Sequence, residues 1–323
     1  MLSPANEGGA SDRARPGRGF TGLGAEHTGD YAAPAHAMRR GVAGGCARAE
    51  RRAWALRRVA RPRPARPAGG AVVTAISAHR GGREFAPEGS YAAYRSALEA
   101  GAEYVEFDVR RTADGTLVSC HPARLPRLRS VTAVSYSQLC RLAGYHVPRM
   151  TDVLPLLAGR AAAHLDLKQA ECGQEVAEMA AGILGPAGLL VTTEDVPLAA
   201  TLKRRFPAMA VGLSIGGDLA QAARFAARRA HEPGLSRLDQ VLAAGADWAA
   251  VHRRLARTGV LAECRRRRVK TAVWTVNADR ELAHWLASPC VDVLITDRPA
   301  RAIALRARRG QGSARAPGTP GPR

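Results

Sequence analysis

Lysine is almost missing from this chain. Of 48 basic residues only Lys168, Lys203 and Lys270 are lysine. The others are arginine, and the matching excess of Ala, Gly and Pro reads as compositional bias as much as function. Aromatic residues make up only 5%. The six cysteines, Cys46, Cys120, Cys140, Cys172, Cys264 and Cys290, form no CxxC pair and no dense framework. That excludes a disulfide-stapled scaffold and leaves ordinary core thiols in a reducing compartment. No apolar run approaches the roughly 18–20 residues that a membrane-spanning helix needs. The first residues lack the charged-then-apolar pattern of a signal peptide. The expectation is a soluble, cytoplasmic protein.

What is present is a long chain with material for a core. Its 323 residues are 46% hydrophobic, enough for one large domain or two ordinary ones. The formal charge of +20 is concentrated at the ends. Residues 1–70 carry a net +8 and residues 301–323 a net +6. Both ends are low in complexity, as in RPRPARPAGG and GQGSARAPGTPGPR, a composition that favours disordered segments. The division expected is a leader over 1–70, a folded domain over 71–305 and a basic tail over 306–323. The Arg-rich ends suit weak contact with an anionic membrane surface. Nothing in them points to a specific nucleic-acid partner.

Between the ends the pattern changes. Eight short apolar segments, VVTAIS (72–77), YVEFDV (104–109), HLDLK (164–168), LLVTT (189–193), AVGLSI (210–215), WAAVH (248–252), TAVWTV (271–276) and VDVLIT (291–296), alternate with amphipathic helical stretches. Repeated strand–helix units predict a parallel sheet. Eight of them in about 235 residues predict an α/β fold of the (β/α)₈, or TIM-barrel, type. The Asp114-Gly115 turn adds a small β-hairpin after the second strand. A doubly wound open sheet is the alternative, but HRGGRE after the first strand is not a GxGxxG phosphate turn.

Chemistry in such a barrel collects at the C-terminal ends of the strands, and the polar residues fall there. His79 and Arg80 end the first strand, Glu106 and Asp108 the second, Asp166 and Lys168 the third, Trp274 and Asn277 the seventh, and Asp297 the eighth. Side chains alternate along a strand, so Glu106 and Asp108 share a face, as do Asp166 and Lys168. Clustered carboxylates call for a hard cation such as Ca²⁺ or Mg²⁺, or for an ion-pair network with Arg80, Lys168 and Arg110; spacing alone leaves both open. Centring a two-residue hairpin on Asp114-Gly115 sets His121 directly opposite Asp108. Two imidazoles, a cation site and cationic side chains then share a pocket, a combination suited to phosphoester chemistry.

In their order along residues 73–305, HRG (79–81), PEGS (87–90), GAEYVEFD, TADGTLVSCHP, DLK, VWTVN and ITDRP resemble the motifs of the glycerophosphodiester phosphodiesterase family, relatives of phosphatidylinositol-specific phospholipase C. The resemblance implies hydrolysis of a small-molecule glycerophosphodiester to sn-glycerol 3-phosphate and an alcohol, in glycerophospholipid catabolism. It implies Glu106, Asp108 and Asp166 as ligands of Ca²⁺ or Mg²⁺, and His79 and His121 as the catalytic pair. Arg80 and Lys168 would hold phosphate oxygens, with Glu88 bracing them. The glycines after His79 would let the backbone approach the phosphate. Trp274 would pack against glycerol or cap the barrel, and His252 belongs to the rim or core. The sequence departs from the family at Pro122, where it has Asp, at Asp166, where it has Glu, and at Gly89 and Ser90, where it has Asn and Thr. A degenerate barrel that binds phosphodiesters or lipid headgroups without cleaving them is therefore the alternative.

Overall fold

The structure, a computed structural model, describes residues 73–124, 130–216 and 237–314. The leader over 1–70, the end of the basic tail and the helical stretch expected after AVGLSI lie outside the described residues. Among the described residues nine strands form one sheet: β1 (Ala75–Ala78), β2 (Tyr104–Arg111), β3 (Leu117–Ser119), β4 (Ala162–Leu167), β5 (Leu189–Thr193), β6 (Ala210–Ile215), β7 (Trp248–His252), β8 (Lys270–Trp274) and β9 (Val293–Thr296). Eight of these run parallel, and β1 pairs with both β2 and β9, so the sheet closes into a barrel. The ninth, β3, lies antiparallel on the outer edge of β2. This is the (β/α)₈ barrel with a hairpin after its second strand.

Among the described residues ten α-helices accompany the strands: α1 (Tyr91–Ala100), α2 (Tyr136–Ala143), α3 (Met150–Leu157), α4 (Gly173–Leu184), α5 (Val196–Arg205), α6 (Arg237–Ala243), α7 (Arg253–Ala256), α8 (Val260–Arg266), α9 (Asp279–Leu286) and α10 (Pro299–Ala314). Helix α6, in SRLDQVLAAG, was not anticipated from sequence; it buries Leu238 and Val241 at helical spacing. At the start of α1, Ser90 accepts a hydrogen bond from the Ala93 amide at 3.1 Å, the usual duty of an N-cap serine. A family threonine at that position would do the same work.

Alternation divides each strand between two cores. On β2, Val105, Phe107 and Val109 are fully buried against the helices, with Phe107 edge-on to Tyr94 at 5.7 Å between ring centroids. Burial of each such side chain contributes about 1.5–3 kcal/mol. The inward faces form a second, smaller core: Ala75, Leu190, Trp248, Ala250, Ala272, Val293 and Ile295 fill the barrel floor. Above that floor the inward residues turn polar. The fold thus supplies an apolar plug below and a polar mouth above.

Two expectations need correction. In the hairpin, Val109 pairs with Ser119, Arg110 with Val118 and Arg111 with Leu117, so Asp108 lies opposite Cys120, not His121. The loop is one residue longer than a two-residue turn. The Thr112 amide donates to the Thr116 carbonyl at 3.0 Å, and its hydroxyl donates to Asp114. Gly115 sits at φ 82°, the left-handed position that closes a three-residue hairpin loop. Secondly, α10 continues past the boundary drawn at residue 305, through to Ala314. Arg306 anchors it, donating to the Thr74 carbonyl at 2.9 Å and to Glu103 at 2.7 Å.

Candidate active site

The site is built on the register of neighbouring strands. In the β2–β4 pair Glu106 lies beside His164 and Asp108 beside Asp166. Four polar side chains therefore stand in two adjacent rows on one wall of the mouth. Glu106 and Asp108 are 3% and 2% exposed. Buried carboxylates require partners, and they have them. The Arg80 amide donates to Glu106 at 2.8 Å. The Arg80 guanidinium donates to one oxygen of Asp108 at 3.0 Å, and Lys168 Nζ meets the other at 3.1 Å. Lys168 also donates to Asp166 at 2.5 Å. Arg110 takes no part; it donates to the His121 carbonyl oxygen.

Charge is nevertheless unbalanced there. Glu106, Asp108 and Asp166 each offer an oxygen within 4.8 Å of the others, and only two cationic side chains serve all three. Burial, and then the charge of Asp108, pushes the Glu106 carboxyl up to about 7. Burial acts the same way on Asp108, but Lys168 and Arg80 outweigh it and hold that group low. A cluster of hard oxygen donors with surplus negative charge fits a divalent cation.

Arg80 reaches three acidic groups because of an unusual backbone. It adopts φ 50° and ψ 33°, left-handed values rare for a side chain of its size. From there its amide faces Glu106, its Nε faces Asp108, and a terminal nitrogen donates to Glu88 at 3.1 Å. Such strain persists where surrounding contacts over-determine it. Glu88 lies behind Arg80, also accepting from Arg83 at 2.5 Å, and does not line the cleft. The glycines that follow do not open the backbone toward a ligand, as expected from sequence. A Cβ on Gly81 would stand 2.8 Å from the backbone of Ala93 and Tyr94, and one on Gly82 2.7 Å from Pro299. They let this loop press against α1 and the start of α10.

His79 is held from behind. Its Nδ1 lies 2.6 Å from Asp297, whose other oxygen accepts from Asn277 at 2.6 Å. The Asp297 amide in turn donates to the Asn277 side-chain oxygen at 2.9 Å. A carboxylate acceptor assigns the Nδ1 proton to the histidine and leaves Nε2 for the cleft. Burial lowers the His79 pKa, but the charge of Glu106 and the bond to Asp297 outweigh it, and the net shift is upward. His121 shifts the other way: burial lowers it, and Asp108 only partly compensates.

Both histidines, Arg80, Lys168, the three carboxylates and Trp274 line one solvent-open cleft. His121 reaches it although its hairpin register differs from expectation; β3 ends at Ser119, so strand alternation does not fix where His121 points. Trp274 donates from Nε1 to the Ala250 carbonyl at 2.9 Å and meets His252 edge-on at 5.3 Å between centroids. His252 caps the start of α7. Sequence reasoning missed His164. It lies 3.1 Å from both the Ser77 and Thr192 hydroxyls, and burial drives its pKa down to about 3, so it is neutral. Its signal was available: in HLDLK, His164 shares the face of Asp166. Asp297 and Asn277 had been placed at strand ends without a partner, and only the closed barrel brings them to His79.

Residues 79–169 match the Glycerophosphoryl diester phosphodiesterase family. A Mycobacterium tuberculosis protein, probable glycerophosphodiester phosphodiesterase 1, is 44% identical over 71 residues, 21% of this chain and 26% of the relative. The chain spans less than half the length of each curated relative it matches. Among solved structures, a glycerophosphodiester phosphodiesterase of Parabacteroides distasonis superposes with a TM-score of 0.60 at 20% identity, covering 75% of this chain and all of that one. An Oleispira antarctica phosphodiesterase in complex with the product sn-glycerol-3-phosphate gives 0.57 at 19% identity, over 72% and 96% of the chains. These two likenesses show a shared barrel. The family match itself covers residues 79–169, most of the charged side of the cleft. Among the described residues no helix is long and apolar enough to cross a membrane.

Proposed function

We propose that this chain acts as a glycerophosphodiester phosphodiesterase, hydrolysing small glycerophosphodiesters to sn-glycerol 3-phosphate and an alcohol, with Ca²⁺ or Mg²⁺ as cofactor, in glycerophospholipid catabolism. The observation that carries this reading is the convergence of two differently tuned imidazoles, three carboxylates and two cationic side chains on one cleft. Glu106, Asp108 and Asp166 would hold the cation, which supplies Lewis-acid polarisation of a phosphate oxygen. The remaining chemistry belongs to the side chains.

Arg80 and Lys168 bind nonbridging phosphate oxygens, Arg80 held in place by Glu88 and by its own left-handed backbone. A planar guanidinium suits this role because it presents several donors at once. His121, whose pKa is lowered, takes the proton of the attacking oxygen, from water or a glycerol hydroxyl. His79, whose pKa is raised and whose protonated form Asp297 stabilises, donates a proton to the leaving alcohol. His164 is neutral and hydrogen-bonded on both nitrogens; it packs beneath the carboxylates as a structural spacer. Trp274 presents an apolar face to the glycerol carbons.

Release of glycerol 3-phosphate from glycerophosphocholine, measured in EDTA and after add-back of Mg²⁺ or Ca²⁺, tests the reading. Turnover should disappear with chelation and return with one of the ions. A chelated protein that keeps full activity rules out the cation. A metal-loaded protein that binds glycerophosphodiesters without cleaving any is the degenerate barrel instead.

A further inference from the structure

The side chains best placed to grip a phosphate are already in contact with the carboxylates best placed to grip a cation. Lys168 Nζ lies 2.5 Å from Asp166 and 3.1 Å from Asp108. Arg80 Nε lies 3.0 Å from the second oxygen of Asp108. Both oxygens of Asp108 and one of Asp166 are thus engaged by positive groups. A divalent cation seated among Glu106, Asp108 and Asp166 competes for those same oxygens.

We infer that Lys168 is a shared counter-charge that makes cation and phosphate binding cooperative, moving from the carboxylates to the phosphate as the cation takes its place. This rests on the metal-dependent reading above and adds to it a coupling between the two ligands. Charge balance is one argument. With all three carboxylates ionised, as a bound cation requires, they leave one net negative charge against Lys168 and Arg80, with His79 balanced by its own partner Asp297. A divalent cation converts that to one net positive charge. A phosphodiester monoanion returns it to zero. Either ligand alone therefore leaves the buried wall unbalanced, and the two together do not.

Mobility is the other argument, and it selects Lys168 over Arg80. Arg80 is fixed at several points: its amide on Glu106, its Nε on Asp108, and a terminal nitrogen on Glu88. Lys168 stands just beyond the end of β4, and among the described residues its ion pairs are with Asp166 and Asp108. A compact ammonium on a four-carbon stem can exchange one oxygen ligand for another without moving the backbone. Its side chain is 26% exposed and lines the cleft, so the path toward a bound phosphate is open.

Linkage makes the test two-sided, because each ligand must raise the other's affinity by the same factor, commonly about 5–150-fold. Calorimetric titration of the full chain with Mg²⁺ or Ca²⁺, with and without saturating sn-glycerol 3-phosphate, at about pH 5.5 where that monoester is mostly the monoanion, measures that factor. For the unmodified chain it should be about tenfold or more. In Lys168→Met the cation alone should bind as tightly as before or tighter, since a competitor for its oxygens is gone. The coupling factor should fall several-fold toward the value left by direct cation–phosphate contact. Lys168→Gln, polar and of similar reach, should behave likewise, and a matched melting temperature shows that either variant is folded. Weaker cation binding by both folded variants, or a coupling factor equal to that of the unmodified chain, overturns the inference while leaving the hydrolytic reading standing. A chain that binds no cation under either condition overturns both.

Discussion

The two walls of the cleft are made by the same fold and carry opposite chemistry. The wall formed by β1, β2 and β4, with the residue after β9, holds His79, Arg80, Glu106, Asp108, Asp166, Lys168 and Asp297. The wall formed by β5 to β8 contributes Thr192, Ser214, Ala250 and Trp274, none of them ionisable at neutral pH. Charges crowded on one side perturb each other, as the upward shift of Glu106 beside Asp108 shows. Among the described residues, the small neutral groups opposite add no charge of their own to the cleft lining. Reaction and accommodation are separated by strand, and the family match at residues 79–169 covers most of the reactive side.

The largest effects should come from the charged wall. His79→Ala and His121→Ala should each lower turnover of glycerophosphocholine by about 10²–10⁴-fold, the usual worth of an acid–base partner. A p-nitrophenyl leaving group needs no acid, so it should restore most of the rate to His79→Ala and little to His121→Ala. Restoration in the reverse pattern exchanges the two roles. Because His121 must be neutral and His79 protonated, the rate should peak between a lowered and a raised imidazole pKa, falling on the acid side as His121 gains a proton and on the alkaline side as His79 loses one.

A middle-sized effect should appear in stability. Folded Glu106 keeps its proton up to about pH 7, whereas in the unfolded chain it ionises near 4.5. The folded state then binds more protons through that window, so the chelated protein should lose stability as pH rises from about 4.5 to 7, by on the order of 3 kcal/mol. Thermal melts at several pH values should show this slope, and Glu106→Gln should flatten it. An unchanged slope in that variant would assign the proton to another group. The smallest effect belongs to the neutral wall: Ser214→Ala should change kcat by less than about threefold. A hundredfold loss there would erase the contrast between the walls.

How much of this was legible varies with distance along the chain. Glu106 and Asp108 could be paired by eye because strand side chains repeat every two residues, and His164 could have been found the same way. The hairpin was legible in kind but not in register. Asp114-Gly115 signals a two-residue loop, while the Thr112 hydroxyl bonded to Asp114 and the left-handed Gly115 made it three. The purpose of Gly81 and Gly82 was not legible, since it depends on contact with Ala93, Tyr94 and Pro299. The His79–Asp297 bond joins residues 218 positions apart, and no local pattern points from one to the other.

The chain's own order of residues determined the eight strand–helix repeats, the polar residues at the strand ends and the carboxylate pair on β2, because period and turn chemistry are local properties. Closure of the sheet decided the rest: which side chain stands behind His79, which oxygens Lys168 and Arg80 engage, and that, among the described residues, the charges line one wall of the cleft. Those relations depend on strand register and on the meeting of β1 with β9, and a barrel sets both only when it closes.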